Sequence, residues 1–362
     1  MSLLWSDSFA NYDTATIGDM WTTPGGAIVA THVRTGTQSL RIQAGDAPSL
    51  TDISTINGLQ EATLGAAFYF EALNGDLFTL VDGADRQVFL TLNPDGSITA
   101  STGTIPTVLG TTAPGVITAG TFWYIELQTL IDTGLTGYVK VQVTNLGTNV
   151  STVVLNLTGI ATSSTSIQFT GFSLGGPAGP DFAYVNDLYL ADRAPFTPNN
   201  DFLGPVQIVY LSPISDGLQS PRVPLGTGWE PIGFPHFSLV NEIPPDGGVT
   251  KLQFDSTGAD GTEAADGYNY DNTGISGTIL SVVPVVDQAV TSGGAGQSGA
   301  YIQQIADTTQ NTVNLTNQIS GLADNTWRMI QRPQDINPIT GLPWLISDLV
   351  DYQFGPYVAL PI

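Results

Sequence analysis

Residues 115–192 decide the architecture. They read GVITAGTFWYIELQTLIDTGLTGYVKVQVTNL (115–146), then a polar Thr/Ser-rich interval, then IQFTGFSLGG (167–176) and FAYVNDLYLAD (182–192). Trp123-Tyr124-Ile125-Glu126-Leu127 is an aromatic, β-branched run, and Tyr138 to Val143 alternates apolar with polar. An alternation of period two sends successive side chains to opposite faces, which is the mark of a half-buried strand. A third strand is expected over Tyr184-Val185-Asn186-Asp187-Leu188-Tyr189-Leu190-Ala191-Asp192.

Upstream, strands are expected at Leu4, Trp5 and Phe9, at Thr37 to Gln43, at Leu64 to Leu73 and at Asp76 to Gly83. Val88, Leu90 and Leu92 alternate into Asn93-Pro94-Asp95-Gly96, and Ile98 resumes on the return strand. Proline fixes its own φ and glycine tolerates a positive one, so this tetrapeptide predicts a hairpin. Strands at such spacing, separated by turn signals, indicate a sandwich or barrel.

Downstream of Asp192 the composition shifts to ADRAPFTPNNDFLGP, rich in Pro and Asn. The expected organisation is therefore a first domain over 1–193, a linker over 194–204 and a second β-rich domain over 205–362. The second is expected to open on a strand from Val206 to Pro213. Further strands are expected in TKLQFDS, GISGTILSVVPVVDQ, SGAYIQQIAD and NTWRMIQRP, with one short helix near Leu345 to Asp351; TTQNTVNLTNQIS suits a strand or a helix, the strand being preferred.

The bulk properties agree. At 362 residues the chain accommodates two cores, and 41 glycines and 23 prolines punctuate β-branched runs. This predicts an all-β protein. Cysteine is absent, which removes disulfides and thiolate metal sites. No basic-then-apolar leader opens the chain, and no window approaches the roughly 18 apolar residues of a membrane span. Nine basic residues face 32 acidic ones, a net charge of −23. Such a chain repels phosphate backbones and anionic lipid, so neither nucleic acid nor membrane insertion is expected. Only 11% of residues are charged, so the surface must be dressed in Thr, Ser, Asn, Gln and Gly.

Taken in order, these elements resemble a protein of tailed bacteriophages: a concanavalin A-like (laminin-G-like) jelly roll followed by a second β-rich domain. The resemblance rests on Trp5-Ser6-Asp7-Ser8-Phe9 with Tyr12 and Trp21, on Gly36-Thr37-Gln38-Ser39-Leu40-Arg41, and on Asn93 to Ser97. It continues through Thr118-Ala119-Gly120-Thr121-Phe122-Trp123-Tyr124-Ile125-Glu126. The junction from Asn186 to Asp192 and Asn199 to Val206 carries it across the boundary. Trp327-Arg328, Asn337 to Trp344 and Phe354-Gly355 extend it to the closing strand, turn, helix and final strand. The stretch from Gln219 to Ser320 departs from it.

The resemblance implies a non-enzymatic structural protein of the virion, made in the host cytoplasm. Its expected place is a tail fibre or tail tip contributing to host-surface adhesion; a capsid decoration or head fibre is the alternative, and a polysaccharide-degrading enzyme is a third, weaker reading. Its expected partners are other virion proteins, copies of itself and a host-surface glycan or protein.

The residues themselves offer little catalysis. A glycosidase needs two carboxylates about 5–9 Å apart in one cleft, and the strand pattern Glu-x-Asp-x-x-Glu is absent. Glu126 is a strand glutamate among aromatics, and it reads as a polar-face residue beside a buried aromatic stripe. Only His32 and His236 are imidazoles, neither beside a Gly-x-Ser-x-Gly turn, and no ordinary zinc site can be assembled.

No cofactor is assigned. Calcium, which takes six to eight oxygens, would find candidates in Asp181, Asn186, Asp187 and Asp192, or in Asp76, Asp82 and Asp85; turn-capping roles for Asp187 or Asp192 stay equally open. Asp255 to Asp266 lacks the EF-hand register and reads as a solvated loop. Tyr268-Asn269-Tyr270 suits either a sugar or a protein contact. The rings Trp229, Phe234, Phe237, Trp327, Trp344 and Phe354 are expected partly in a domain core and partly against a neighbouring subunit.

Overall fold

The computed structural model describes residues 3–51, 58–193, 201–219, 228–230, 236–240, 253–255, 263–288, 297–304, 312–318, 328–331 and 333–359. Among them helices are confined to short turns, and no helix is long and apolar enough to cross a membrane. The chain is all-β, and its contacts divide it into two units, Met1–Tyr210 and Leu211–Ile362.

The first unit is a β-sandwich. Its strands are β1 (Leu3–Asp7), β2 (Ala27–Val29), β3 (Ser39–Ile42), β4 (Ser49–Thr51), β5 (Glu61–Phe70), β6 (Gly75–Asp82) and β7 (Asp85–Leu92). They continue with β8 (Ile98–Thr102), β9 (Thr107–Thr111), β10 (Phe122–Leu130), β11 (Gly137–Asn145), β12 (Val150–Ile160), β13 (Gly171–Leu174) and β14 (Ala183–Asp192). One sheet runs β12-β11-β10-β5-β14-β3-β2, with β1 also on β14; the other runs β4-β13-β6-β7-β8-β9. All pairings are antiparallel.

Alternation builds the core, as the sequence predicts. Ile125, Leu127, Val139 and Val141 point between the sheets and are fully buried, as are Leu64 and Ala66 opposite them. Facing sheets meet through rings: Phe68 of β5 lies 5.3 Å from Phe78 of β6, and Trp5 of β1 lies 5.6 Å from Phe172 of β13. Trp21, 1% exposed, packs edge-on against Trp5 at 5.2 Å. Each such pair adds about 0.5–1.5 kcal/mol beyond its buried area.

Asp7 anchors the start of this core. Its carboxylate accepts from the Phe9 amide at 2.7 Å, the Trp21 indole at 3.1 Å and the Tyr12 hydroxyl. Those contacts bend the chain sharply, so Phe9 (φ 59°) lies beyond β1 rather than within a strand that reaches it.

The Asn93–Ser97 hairpin forms as predicted. Leu92 pairs with Ile98, the Asn93 amide donates to Ser97 O at 2.8 Å, and Asp95 Oδ1 accepts from the Ser97 amide and hydroxyl. Gly96 has φ 79°, and a Cβ there would stand 2.3 Å from Ile117 O. Gly96→Ala is expected to destabilise the first unit by more than about 1 kcal/mol, since both backbone and space are wrong for a side chain. Chemical denaturation followed by ring absorbance checks this.

The polar interval after Leu146 holds a strand that its composition hid. β12 has 11 residues and forms the outer edge of the larger sheet. Much of it faces solvent, so no apolar alternation was needed to specify it.

The second unit contains β15 (Pro213–Gln219), β16 (Gly228–Glu230), β17 (Gln253–Asp255), β18 (Glu263–Tyr270), β19 (Val285–Gln288), β20 (Gln297–Gln304), β21 (Thr312–Gln318), β22 (Arg328–Gln331) and β23 (Tyr352–Ala359). A five-stranded sheet runs β15-β18-β23-β20-β21, and β16-β17 and β19-β22 form two small ribbons. The expected helix is the single turn Asp348–Asp351. Trp344, Tyr352 and Phe354 form a core with Tyr270, Ile279, Val282 and Ile339 beside it. Trp344 donates its indole N–H to Gln334 O at 2.7 Å.

Several expectations change here. The strand Val206–Pro213 is absent, and residues up to Tyr210 belong to the first unit. The strand expected from Gly274 reduces to Val285–Gln288. Part of the acidic stretch, Glu263–Tyr270, is a strand rather than a solvated loop. Tyr268 is therefore 2% exposed, and Asn269 bonds Ser215 and Gln353, so this is sheet interior and not a sugar-stacking loop. Trp344 and Phe354 lie in the unit's own core, while Phe237 is half-buried. Phe234 and Trp327, and the side chains of Trp229 and His236, lie outside the described residues.

Candidate recognition face on the jelly roll

Glu126, Gln128 and Tyr124 of β10 point away from the sandwich core, onto the outer face of the larger sheet with Gln142 of β11 and Tyr189 of β14. Residues that face outward are usually wet, yet Tyr124, Glu126 and Tyr189 are at most 1% exposed. Residues 201–208 cover them. Leu203 and Val206 pack onto a cluster of Ala67, Tyr124, Tyr189 and Ala191. The Gly204 amide donates to Glu126 Oε1 at 3.0 Å, and the Ile208 amide to Asp187 Oδ1 at 2.9 Å. This explains the missing strand: the backbone groups of this strap are used by side chains rather than by a ladder.

Asp187 reaches the strap because β14 bulges. Its register with β5 shifts between Asn186 and Tyr189, and Asp187 adopts φ 49°. A bulge re-aims a side chain, here to an ion pair with Arg34 at 2.8 Å. Arg34 also donates to the Val206 carbonyl at 2.6 Å and the Pro205 carbonyl at 3.1 Å. Thr35 Oγ1 donates to Asp187 Oδ1 at 2.5 Å. Burial pushes the Asp187 carboxyl upward, and Thr35, the Ile208 amide and Arg34 pull against it.

Glu126 is held as firmly. Tyr189 donates to Oε1 at 2.6 Å and Gln142 to Oε2 at 3.0 Å. Burial raises its carboxyl above the ordinary range. Both oxygens are therefore committed to hydrogen bonds. Gly65, across the sheet, leaves room for Tyr189: a Cβ there would lie 2.3 Å from the ring.

Beyond the strap, one end of the face carries a group of rings. His32 stacks on Tyr69 at 3.9 Å and meets Tyr184 at 4.5 Å; Tyr69 lies 5.3 Å from Phe122, and Phe182 lies 6.4 Å from Tyr184. Tyr184 is buried, and the other four are half-buried. Arg41 spreads over Phe182 at 4.5 Å, and Glu71 accepts from Tyr184 Oη at 3.0 Å and the Phe182 amide at 3.2 Å. His32 is itself held at φ 49°, with Asn186 Nδ2 on its carbonyl. Non-glycine residues in this region cost roughly 1–3 kcal/mol and collect at ligand-binding places. A ledge of rings fringed by an arginine and a carboxylate offers apolar stacking faces with polar tips around them.

The opposite end of the face carries Arg193, paired with Glu61 at 2.8 Å and donating to Tyr138 Oη at 2.5 Å. Lys140 sits 5.4 Å from the same ring.

Three of the calcium candidates are engaged otherwise. Asp187 and Asn186 hold Arg34 and His32, and Asp76 pairs with Arg86 at 2.7 Å and accepts from Thr91. Among the described residues no three His, Cys, Asp or Glu side chains stand together as a metal would need. The sequence reading singled out neither Arg34 nor the ledge. Their signal is faint: His32 and Arg34 lie in AIVATHVRTG, in a loop whose place on the sheet no periodicity fixes.

No protein-family model and no curated protein matches this chain. Among solved structures, a PL-14 alginate lyase from Aplysia kurodai is similar at 14% identity, covering 53% of this chain and 100% of that one, with a TM-score of 0.42. The CBM2 module of an evolved Dit of Lactobacillus casei BL23 phage J-1 is similar at 10% identity, covering 52% and 94%, TM-score 0.35. The lectin UEA-II in complex with galactose gives 11% identity, 52% and 99%, and 0.33.

Proposed function

We propose that the chain is a non-enzymatic structural protein of a phage virion whose jelly roll recognises a host-surface saccharide through the ring ledge. The single observation that supports this reading most is the ledge itself. It gathers His32, Tyr69, Phe122, Phe182 and Tyr184 at one end of the sheet face, beyond residues 201–208. Tyrosine and phenylalanine rings present rigid apolar faces that suit the C–H face of a sugar, and Arg41 and Glu71 supply donors and acceptors for its hydroxyls. The commitment of both Glu126 oxygens to Tyr189, Gln142 and Gly204 supports recognition without hydrolysis. The order of sequence motifs that resembles a protein of tailed bacteriophages supports a place on the virion.

The test is a saccharide array probed with the full chain. Binding is expected, and Phe182→Ala or His32→Gly is expected to reduce it at least about tenfold, the 1.4 kcal/mol equivalent of one lost stacking partner. Glycine is chosen at 32 because it accepts φ 49° without strain. Unaltered binding by both variants would move the site elsewhere. Labelling of intact particles with an antibody to the chain separates tail from head.

A further inference from the structure

We propose that β12 is a self-association edge, along which two copies of this chain pair antiparallel about a two-fold axis and join their larger sheets. The inference is independent of the saccharide reading.

β12 is the last strand in its sheet, so among the described residues one side of its backbone has no partner strand. A long unpaired edge templates pairing with another chain, and folded proteins blunt such edges with charges, proline or bulges. β12 has 11 residues, VSTVVLNLTGI, with neither charge nor proline. It carries one irregularity opposite Val141/Gln142 and another at its far end by Gly137, which leave Val150–Val153 and Leu155–Thr158 as regular stretches. Val150 is 59% exposed and Val153 48%.

The charge distribution favours a second copy of this chain as the occupant. Residues 141–180 contain no Asp, Glu, Lys or Arg, and neither do residues 96–125. These two stretches meet in space. The first supplies β12 and the second β9, the edge of the smaller sheet, where Gly110 lies against the Leu157 side chain. Val108 of β9, 62% exposed, and Ile105 before it, 86% exposed, extend the same uncharged margin. The charges that flank it are Lys140 on β11, Asp132 before β11 and Asp85 beside Thr104. Two copies of a chain with net charge −23 repel each other in general. Here they can approach without opposing acids, and an antiparallel edge is complementary to itself under a two-fold operation.

The absence of native cysteine makes the test clean. Ser151→Cys, Val153→Cys, Asn156→Cys and Thr158→Cys, each at an exposed position of β12, are oxidised separately in the full chain, with exposed Thr37→Cys as control. Disulfide-linked dimer is expected several-fold above the control, peaking at the position nearest the axis and falling on either side. Val153→Glu puts an acid on the shared edge of both copies and is expected to lower the linked dimer several-fold in the Asn156→Cys background, with circular dichroism unchanged. Added salt is expected to raise the linked fraction, because it screens the general repulsion and weakens no ion pair. Linkage no greater than the control at all four positions, or linkage indifferent to Val153→Glu, would overturn the proposal.

Discussion

Arg34→Ala is expected to destabilise the jelly roll by about 3–5 kcal/mol, the usual cost of removing one partner from a buried ion pair. The substitution leaves the Asp187 carboxylate with no counter-charge at a site where its side chain is 0% exposed. It also strips the Val206 and Pro205 carbonyls of their donors, so the loss concentrates in the strap. Hydrogen exchange should therefore quicken first over residues 201–210 and around Asp187. Arg34→Lys should recover only part of the loss, because one ammonium cannot serve a carboxylate and two carbonyls in a fixed fork. Pairing Arg34→Ala with Asp187→Asn should recover more, since the unpaired charge is the main cost. If Arg34→Ala left exchange at the strap unchanged, the strap would not depend on this pair.

The second large effect is on pH. Burial pushes the Asp7 carboxyl up to about 7 from 3.8, against bonds from Tyr12, Phe9 and Trp21 that favour the charge. Between those two values the folded chain holds a proton that the unfolded chain has released. Stability is therefore full below about pH 4 and is lost as pH rises through 7, by about 4 kcal/mol for a shift of this size. Burial raises Glu126 and Asp187 in the same direction. Asp95, Asp132 and Asp271 are lowered by turn hydrogen bonds, so their contribution is lost on acidification below the ordinary carboxylate range, outside this window.

The growing net charge at higher pH acts with Asp7. The first unit should thus be markedly more stable at pH 5 than at pH 8. Asp7→Asn, which imitates the protonated form, should flatten that dependence. Denaturant midpoints across the range measure it, and a midpoint that rose with pH would contradict the burial of Asp7 as an acid.

Much of the sandwich was legible because its inner faces obey period two. Ile125, Leu127, Val139 and Val141 announce their strands, and Asn93 to Gly96 announces its turn. β12 was not legible because an exposed edge needs no apolar alternation, and the strap was not because its partners lie far away in sequence. Arg34 and Asp187 are 153 residues apart, and only the fold brings them together. Val206 to Tyr210 illustrates the competing force. Its alternation suits a strand, but Arg34 and Asp187 take its backbone groups and bind it to the outer face. The ledge was hidden for a similar reason: His32, Tyr69, Phe122 and Phe182 come from separate segments and share no motif.

Passive recognition by that ledge is tested most directly by equilibrium binding of the full chain to purified host-surface polysaccharide, with the mass of the saccharide measured after elution. Saturable binding with recovery of full-length saccharide is the predicted result. Shortened or unsaturated saccharide in the eluate, or no binding at all, would contradict it.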